Sequence, residues 1–132
     1  MQISTVAEKS GVPPKTIRYY ESIGLIRPAP RTESGYRSFD NKDLQTLRFI
    51  QRARGLGFSV KDVENLLALW RDQNRVSAEV KALAHRHVER IDAKVSELDS
   101  MRRTLIELME KCHGDERPDC PILDDLGGRP GG

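Results

Sequence analysis

Two cysteines carry the most distinctive chemistry in the sequence. Cys112 and Cys120 enclose seven residues, HGDERPD, rich in charge and broken by Gly114 and Pro118. Such a pair can form a disulfide, a redox couple or a two-thiolate metal site. The spacing is not C-x-x-C, and the chain lacks the cluster of about four Cys and His that a structural zinc site needs. Two thiolates without a third nearby cysteine suit a soft monovalent ion, because thiolate ligands favour Cu(I) and linear coordination completes its shell. His113 adjoins Cys112, which makes joint ligation awkward, so a solvent-facing role is expected for it. His85 and His87 stand two apart on a predicted helix and do not share a face.

A second group lies near the start. With a 3.6-residue period, Lys15, Arg18, Tyr19 and Ser22 fall on one face of a predicted helix and Ile17 and Tyr20 on the other. A recognition helix needs that division, with donors reaching the major groove while the apolar face packs inward. A solvated amphipathic helix would look much the same. Arg31 and Arg37 flank the tip of the following segment, RPAPRTESGYRSFD, where Tyr36 adds a hydroxyl donor. An arginine on each arm of a hairpin beside such a helix is placed to grip phosphates.

The elements that must position these residues are punctuated clearly. Ser4 is the expected N-cap of a first helix that Gly11 stops, and Pro14 suits the first position of a second helix ending at Gly24. Two short helices with a Gly-containing turn make a helix-turn-helix. Tyr36 to Phe39 alternates like a short strand, which predicts a small hairpin or wing. Asp40 or Asn41 caps a third helix burying Leu44, Leu47 and Ile50, with Arg48, Arg52 and Arg54 turned outward. Ser59 with Asp62 resembles a capping box and opens a fourth helix, whose Val60, Val63, Leu66, Leu67 and Trp70 form one core-facing stripe.

Ser77 is the expected cap of a long helix reaching Glu110 or Lys111. Ala84, Ile91, Leu98 and Leu105 recur every seven residues and Cys112 shares their register, flanked by Val88 and Val95 on one side and Met101 and Leu108 on the other. That pattern predicts a coiled-coil dimerisation helix, loosened where His87 and Lys94 interrupt the seam. Ile122, Leu123 and Leu126 form an apolar patch able to fold the terminal segment back, and GGRPGG reads as a disordered tail.

Composition agrees with this division. Across 132 residues the net charge of +2 conceals ten Lys+Arg against five Asp+Glu in residues 1–60, net +5, and twelve against fifteen in residues 61–132, net −3. A basic first half points to a polyanion, of which nucleic acid is the commonest. Only 37% of residues are hydrophobic and 5% aromatic, so a partner subunit is expected to complete a thin core. No apolar run of about 18 residues exists, which excludes a helical membrane span, and MQISTVAEKSGV lacks the regions of a signal peptide, so a cytoplasmic protein is expected. No Ser/His/Asp set, phosphate loop, HExxH or paired-carboxylate cleft can be assembled, so an enzyme is not expected.

The sequence as a whole, from Met1 to about Leu126, resembles the MerR family of transcription activators, in particular its copper-efflux regulator (CueR-type) branch. The residues that carry the likeness are ISTVAEKSGVPPKTIRYYESIGLI, RTESGYRSFD, RARGLGFSVKDV, RVSAEVK and CHGDERPDCPI. The resemblance implies a mainly α fold: a winged helix-turn-helix DNA-binding domain over residues 1–70 with its helix-turn-helix at 4–23, a hinge and antiparallel dimerisation helix at 71–111, a metal-binding loop and short helix at 112–126, and a tail at 127–132. It implies a homodimer on double-stranded, dyad-symmetric promoter DNA that acts on RNA polymerase without a membrane. Lys15, Arg18 and Tyr19 would contact DNA from the recognition helix, Arg31, Tyr36 and Arg37 from the wing, and Arg54 from the third helix.

Cys112 and Cys120 would bind the inducer, Cu(I), Ag(I) or Au(I). Divalent-ion members of the family place a third cysteine at the position of Ser77, contributed by the other subunit, whereas monovalent-ion members have serine there. In one respect this chain departs from the family: no further Cys or His follows Cys120. Rival readings are a thiol redox or organic-ligand sensor on the same scaffold, and a cytosolic copper carrier whose basic half is incidental.

Overall fold

The computed structural model of the chain describes residues 1–115 and 117–128. Six helices follow one another: α1 (Ile3–Ser10), α2 (Pro14–Ser22), α3 (Asn41–Gly55), α4 (Val60–Arg71), α5 (Ser77–Lys111) and α6 (Pro121–Leu126). They fall into two compact units, Met1–Val80 and the residues from Lys81 onward.

Local chemistry sets most helix ends in the first unit. Gly11 stops α1 in the left-handed region, φ 76°, where its N–H reaches the Ala7 carbonyl. Pro14 opens α2, where the amide it lacks would have no helical acceptor. Asp40 caps α3 through a reciprocal box: its carboxylate accepts from the Asp43 N–H, and Asp43 accepts from the Asp40 N–H, each at 2.9 Å. The Asp43 hydrogen bond holds the Asp40 carboxyl below the usual range, whereas burial pushes Asp43 up against the pull of the Asp40 N–H and Arg27. Arg27 joins both carboxylates, at 3.1 and 2.9 Å, and ties the end of the helix-turn-helix to the start of α3. Ser59 caps α4 by accepting from the Asp62 N–H at 3.1 Å.

Two predicted caps move. Ser4 lies inside α1, whose N-cap is Gln2; the helix begins one residue before Ser4, so the serine is itself helical. Ser77 is the first residue of α5, not the residue before it.

The apolar faces of α1, α2, α3 and α4 meet in one core that includes Val6, Ile17, Phe39, Leu47, Ile50 and Val63, all essentially inaccessible. Each such side chain is worth roughly 1.5–3 kcal/mol of burial, which makes this unit the well-packed part of the chain. Trp70 departs from the expected core stripe: it stays 42% exposed, with one face stacked on Phe49 at 4.5 Å between ring centres and 13° between planes.

In the second unit, Leu83 and His87 are buried, but every residue from Val88 to Glu107 is exposed. The heptad column Ile91, Leu98 and Leu105 and its flanks Val88, Val95 and Met101 thus form an uncovered apolar stripe. In α6, Ile122 is half-buried, while Leu123 and Leu126 remain exposed and bring no packing to the expected fold-back. Of the predicted tail, Gly127 and Gly128 continue the α6 turn through bonds to Leu123 and Asp125, and residues 129–132 lie outside the described residues. No helix among the described residues is long and apolar enough to cross a membrane.

Candidate nucleic-acid interface and thiol loop

α2 presents its polar face as its period requires. Lys15, Arg18, Tyr19 and Ser22 are exposed, and Ile17 and Tyr20 are buried against the core. Gly24, with φ 77°, lets the chain leave α2 sharply, and the Leu25 N–H closes back on the Tyr20 carbonyl at 3.0 Å.

The wing forms as a tight loop, not as paired strands. A single antiparallel bridge joins Arg31 and Arg37. Inside it the Thr32 N–H donates to Tyr36 and the Gly35 N–H to Thr32 at 2.9 Å, and just outside it the Ser38 N–H donates to Pro30 at 2.8 Å. The strand expected over Tyr36 to Phe39 is absent among the described residues, because Pro28 and Pro30 on the opposite arm have no N–H to donate to a ladder. Gly35 makes the turn possible at φ 84°. Phe39 then anchors the exit, its side chain in the core and its N–H donating to Met1 at 2.7 Å.

Between α2 and the wing runs an open groove of about 440 Å³ lined by Gln2, Ile3, Arg18, Arg31, Tyr36 and Arg37. Four of the sequence-predicted contact residues therefore converge on one concavity with three guanidinium groups. Lys15 and Tyr19 stand exposed on the same helix face, Tyr19 tilted against Tyr20 with ring centres 6.1 Å apart. Arg54 lies apart from these: it donates to the Phe58 carbonyl and closes the turn between α3 and α4.

Glu21 is not among the expected site residues, and it occupies a telling place. Its side chain is only 6% exposed; one carboxylate oxygen accepts from Arg37 and the other from the Ala29 N–H at 2.9 Å. Its nearest sequence signal is a weak one, an acid on a basic helix, since its partners lie 8 and 16 residues away.

The thiols occupy the second unit. Cys112 follows the last turn of α5, its N–H donating to Met109, and Cys120 caps α6 with its carbonyl accepting from the Asp124 N–H at 3.0 Å. Both are free and partly exposed, as attack or ligation by a thiolate requires. The loop between them turns at Gly114, φ 66°, and is stapled by Arg117, whose Nε and Nη2 reach the same Asp115 oxygen at 2.9 and 2.8 Å. That hydrogen bond also holds the Asp115 carboxyl below its ordinary value. No group of three or more Cys, His, Asp or Glu able to hold a metal is assembled among the described residues. His113 is exposed beside them. Ser77, at the start of α5, is exposed.

Residues 1–70 match the model for the MerR HTH family regulatory protein and residues 44–108 the model for MerR, DNA binding. A heavy metal-dependent transcription regulator of Rhizobium meliloti is 52% identical over 126 residues, covering 96% of this chain and 86% of its own. The HTH-type transcriptional regulator CueR of Salmonella typhimurium is 44% identical over 128 residues, covering 97% and 93%. Among solved structures, a transcription regulator from Ralstonia metallidurans in complex with lead(II) superposes with a TM-score of 0.82 at 31% identity, over 96% of this chain and 98% of that one.

Proposed function

Because the chain belongs to the MerR family of helix-turn-helix regulatory proteins, we propose that it is a metal-responsive transcription activator of the copper-efflux type. As a homodimer it binds a dyad promoter through the α2 and wing grooves of its two protomers. Cu(I), or Ag(I) or Au(I), held by the Cys112 and Cys120 thiolates, then switches it to the state in which RNA polymerase uses the promoter. The observation that carries the metal assignment is the pair of free, partly exposed thiols at the two ends of one short loop, the only two cysteines in the sequence. A heavy metal-dependent relative and a lead(II)-bound structural neighbour support a metal inducer in general.

Ser77 is part of the same reading. A serine hydroxyl is a poor ligand for a soft ion, so the two-thiolate site stays uncontested and divalent ions, which want more ligands, are disfavoured. The residues Lys15, Arg18, Tyr19, Arg31, Tyr36, Arg37 and Arg54 serve DNA binding, with Arg54 acting from the α3–α4 turn. Metal can shift the dimer between states only by binding one of them more tightly, and ordering of the Cys112–Cys120 loop is the source of that difference.

The test is a competition titration of the reduced dimer with Cu(I) and Zn(II) in the presence of promoter DNA, together with Cys112→Ser and Cys120→Ser. Each substitution is expected to abolish metal-dependent activation while leaving DNA binding nearly intact. Activation by copper in either variant would refute the two-thiolate site.

A further inference from the structure

We propose that Glu21, an acid inside a basic groove, is a positioning residue for DNA binding that holds the wing and Arg37 in their phosphate-gripping arrangement. The inference rests on the reading of α2 and the wing as the DNA face.

One carboxylate spans both arms of the wing. Ala29 precedes the Arg31–Arg37 bridge and Arg37 closes it, and Glu21 accepts from both, one oxygen each. The wing has a single bridge and a few backbone bonds internal to its loop, so the Glu21 carboxylate is what ties both of its arms to α2 among the bonds seen in the described residues. Burying a carboxylate to 6% exposure is costly unless its oxygens are hydrogen-bonded, and here both are.

Arg37 in turn is 33% exposed at its side chain and lines the groove with Arg18, Arg31 and Tyr36. A guanidinium carries five N–H donors in a rigid fork, so engagement by Glu21 at Nη1 leaves others for a phosphate oxygen. Glu21 thus removes the rotamer freedom that a long, exposed arginine would lose on binding. Simple charge counting predicts the opposite influence: a carboxylate near DNA should repel it.

These opposite signs make the experiment decisive. Full-chain wild-type protein first selects a duplex from a random-sequence pool; affinity for that duplex is then measured over a salt series for wild type, Glu21→Gln, Arg37→Met and the double variant. Glutamine preserves the volume but accepts at one oxygen only, leaving Arg37 or the Ala29 N–H unheld. Glu21→Gln is expected to weaken binding on the order of tenfold, as removal of a charge-assisted hydrogen bond does. The slope of log K against log salt should fall by about 0.9 for each phosphate that is no longer neutralised, one per protomer. Arg37→Met should lower the slope equally, and the double variant should bind no worse than Arg37→Met alone.

A general loss of stability would not reproduce the shared slope change and the non-additivity. Unchanged or tighter binding by Glu21→Gln, or additive losses in the double variant, overturns the proposal. If Glu21→Gln does not fold, Arg37→Met decides alone: an unchanged salt slope overturns it. Wild-type protein that selects no duplex overturns both the proposal and the DNA-face reading, and is distinguishable because it precedes any substitution.

Discussion

Under the proposed function, Leu98→Glu should dissociate the homodimer into monomers without unfolding its first unit. Leu98 is the middle of the heptad column on α5 and is 60% exposed in the single chain. Full burial of a leucine is worth roughly 1.5–3 kcal/mol, so the uncovered part leaves about 1–2 kcal/mol per protomer for pairing, and about 2–4 per dimer. A buried carboxylate adds a desolvation cost of several kcal/mol unless it finds a partner. The dimer dissociation constant should therefore rise at least about 100-fold, since every 1.4 kcal/mol is a factor of ten. Sedimentation velocity over a concentration series reads this directly. Two controls bound the result. Leu98→Met conserves volume and should cost less than about 1.5 kcal/mol, and Ser96→Glu puts the same charge on an exposed position outside the column. Trp70, the single tryptophan, lies in the first unit and reports whether that unit remains folded. If Leu98→Glu sediments as a dimer at the concentrations where wild type does, the exposed stripe is not the pairing surface.

Two further substitutions probe other links. Phe49→Leu removes the ring stacked on Trp70 while keeping most of its bulk, and should lower stability by about 1 kcal/mol, the worth of an aromatic pair; urea unfolding followed by Trp70 fluorescence measures it, and an unchanged midpoint would mean the stack carries no stability. Ser77→Cys supplies a third thiolate to the dimer and should broaden the transcriptional response toward divalent ions; a response to zinc or mercury no different from that of the parent would refute the selectivity role of Ser77.

What can be read from the sequence follows the range of the interactions that decide each feature. Gly11, Asp40 and Ser59 mark helix ends through bonds to residues at most four positions away and Pro14 through the N–H it lacks, whereas the caps expected at Ser4 and Ser77 lie one or two residues off. The polar face of α2 and the heptad column of α5 are equally local, since a helical period alone sorts them. The wing is legible as a turn but not as strands, because pairing depends on the donors of the opposite arm and prolines occupy it. Periodicity puts Trp70 in the core, yet its environment is set by a ring on another helix. Glu21 and the Arg27–Asp43 link stay hidden for the same reason: their partners lie up to 16 residues away, and neither an isolated glutamate nor an isolated arginine announces such a bond.

The uneven distribution of burial bears on how sensing and pairing relate. The first unit encloses its own core, whereas α5 runs from Val88 to Glu107 with no residue buried. A 35-residue helix spans roughly 52 Å, and helices in water draw most of their stability from packing of an apolar face, which α5 within one chain does not obtain along this stretch. Cys112 is attached to the end of that helix, in the register of the same column. Under the proposed function, the thiol loop is therefore anchored firmly only when a second copy covers the stripe. Pairing then raises metal affinity by reducing the entropy that binding must overcome, and by reciprocity metal raises pairing by the same factor. The thin core of the single chain thereby couples pairing to metal binding, beside the switch between dimer states: an α5 that was stable alone would hold the loop equally well in monomer and dimer, and metal binding would then leave pairing unchanged.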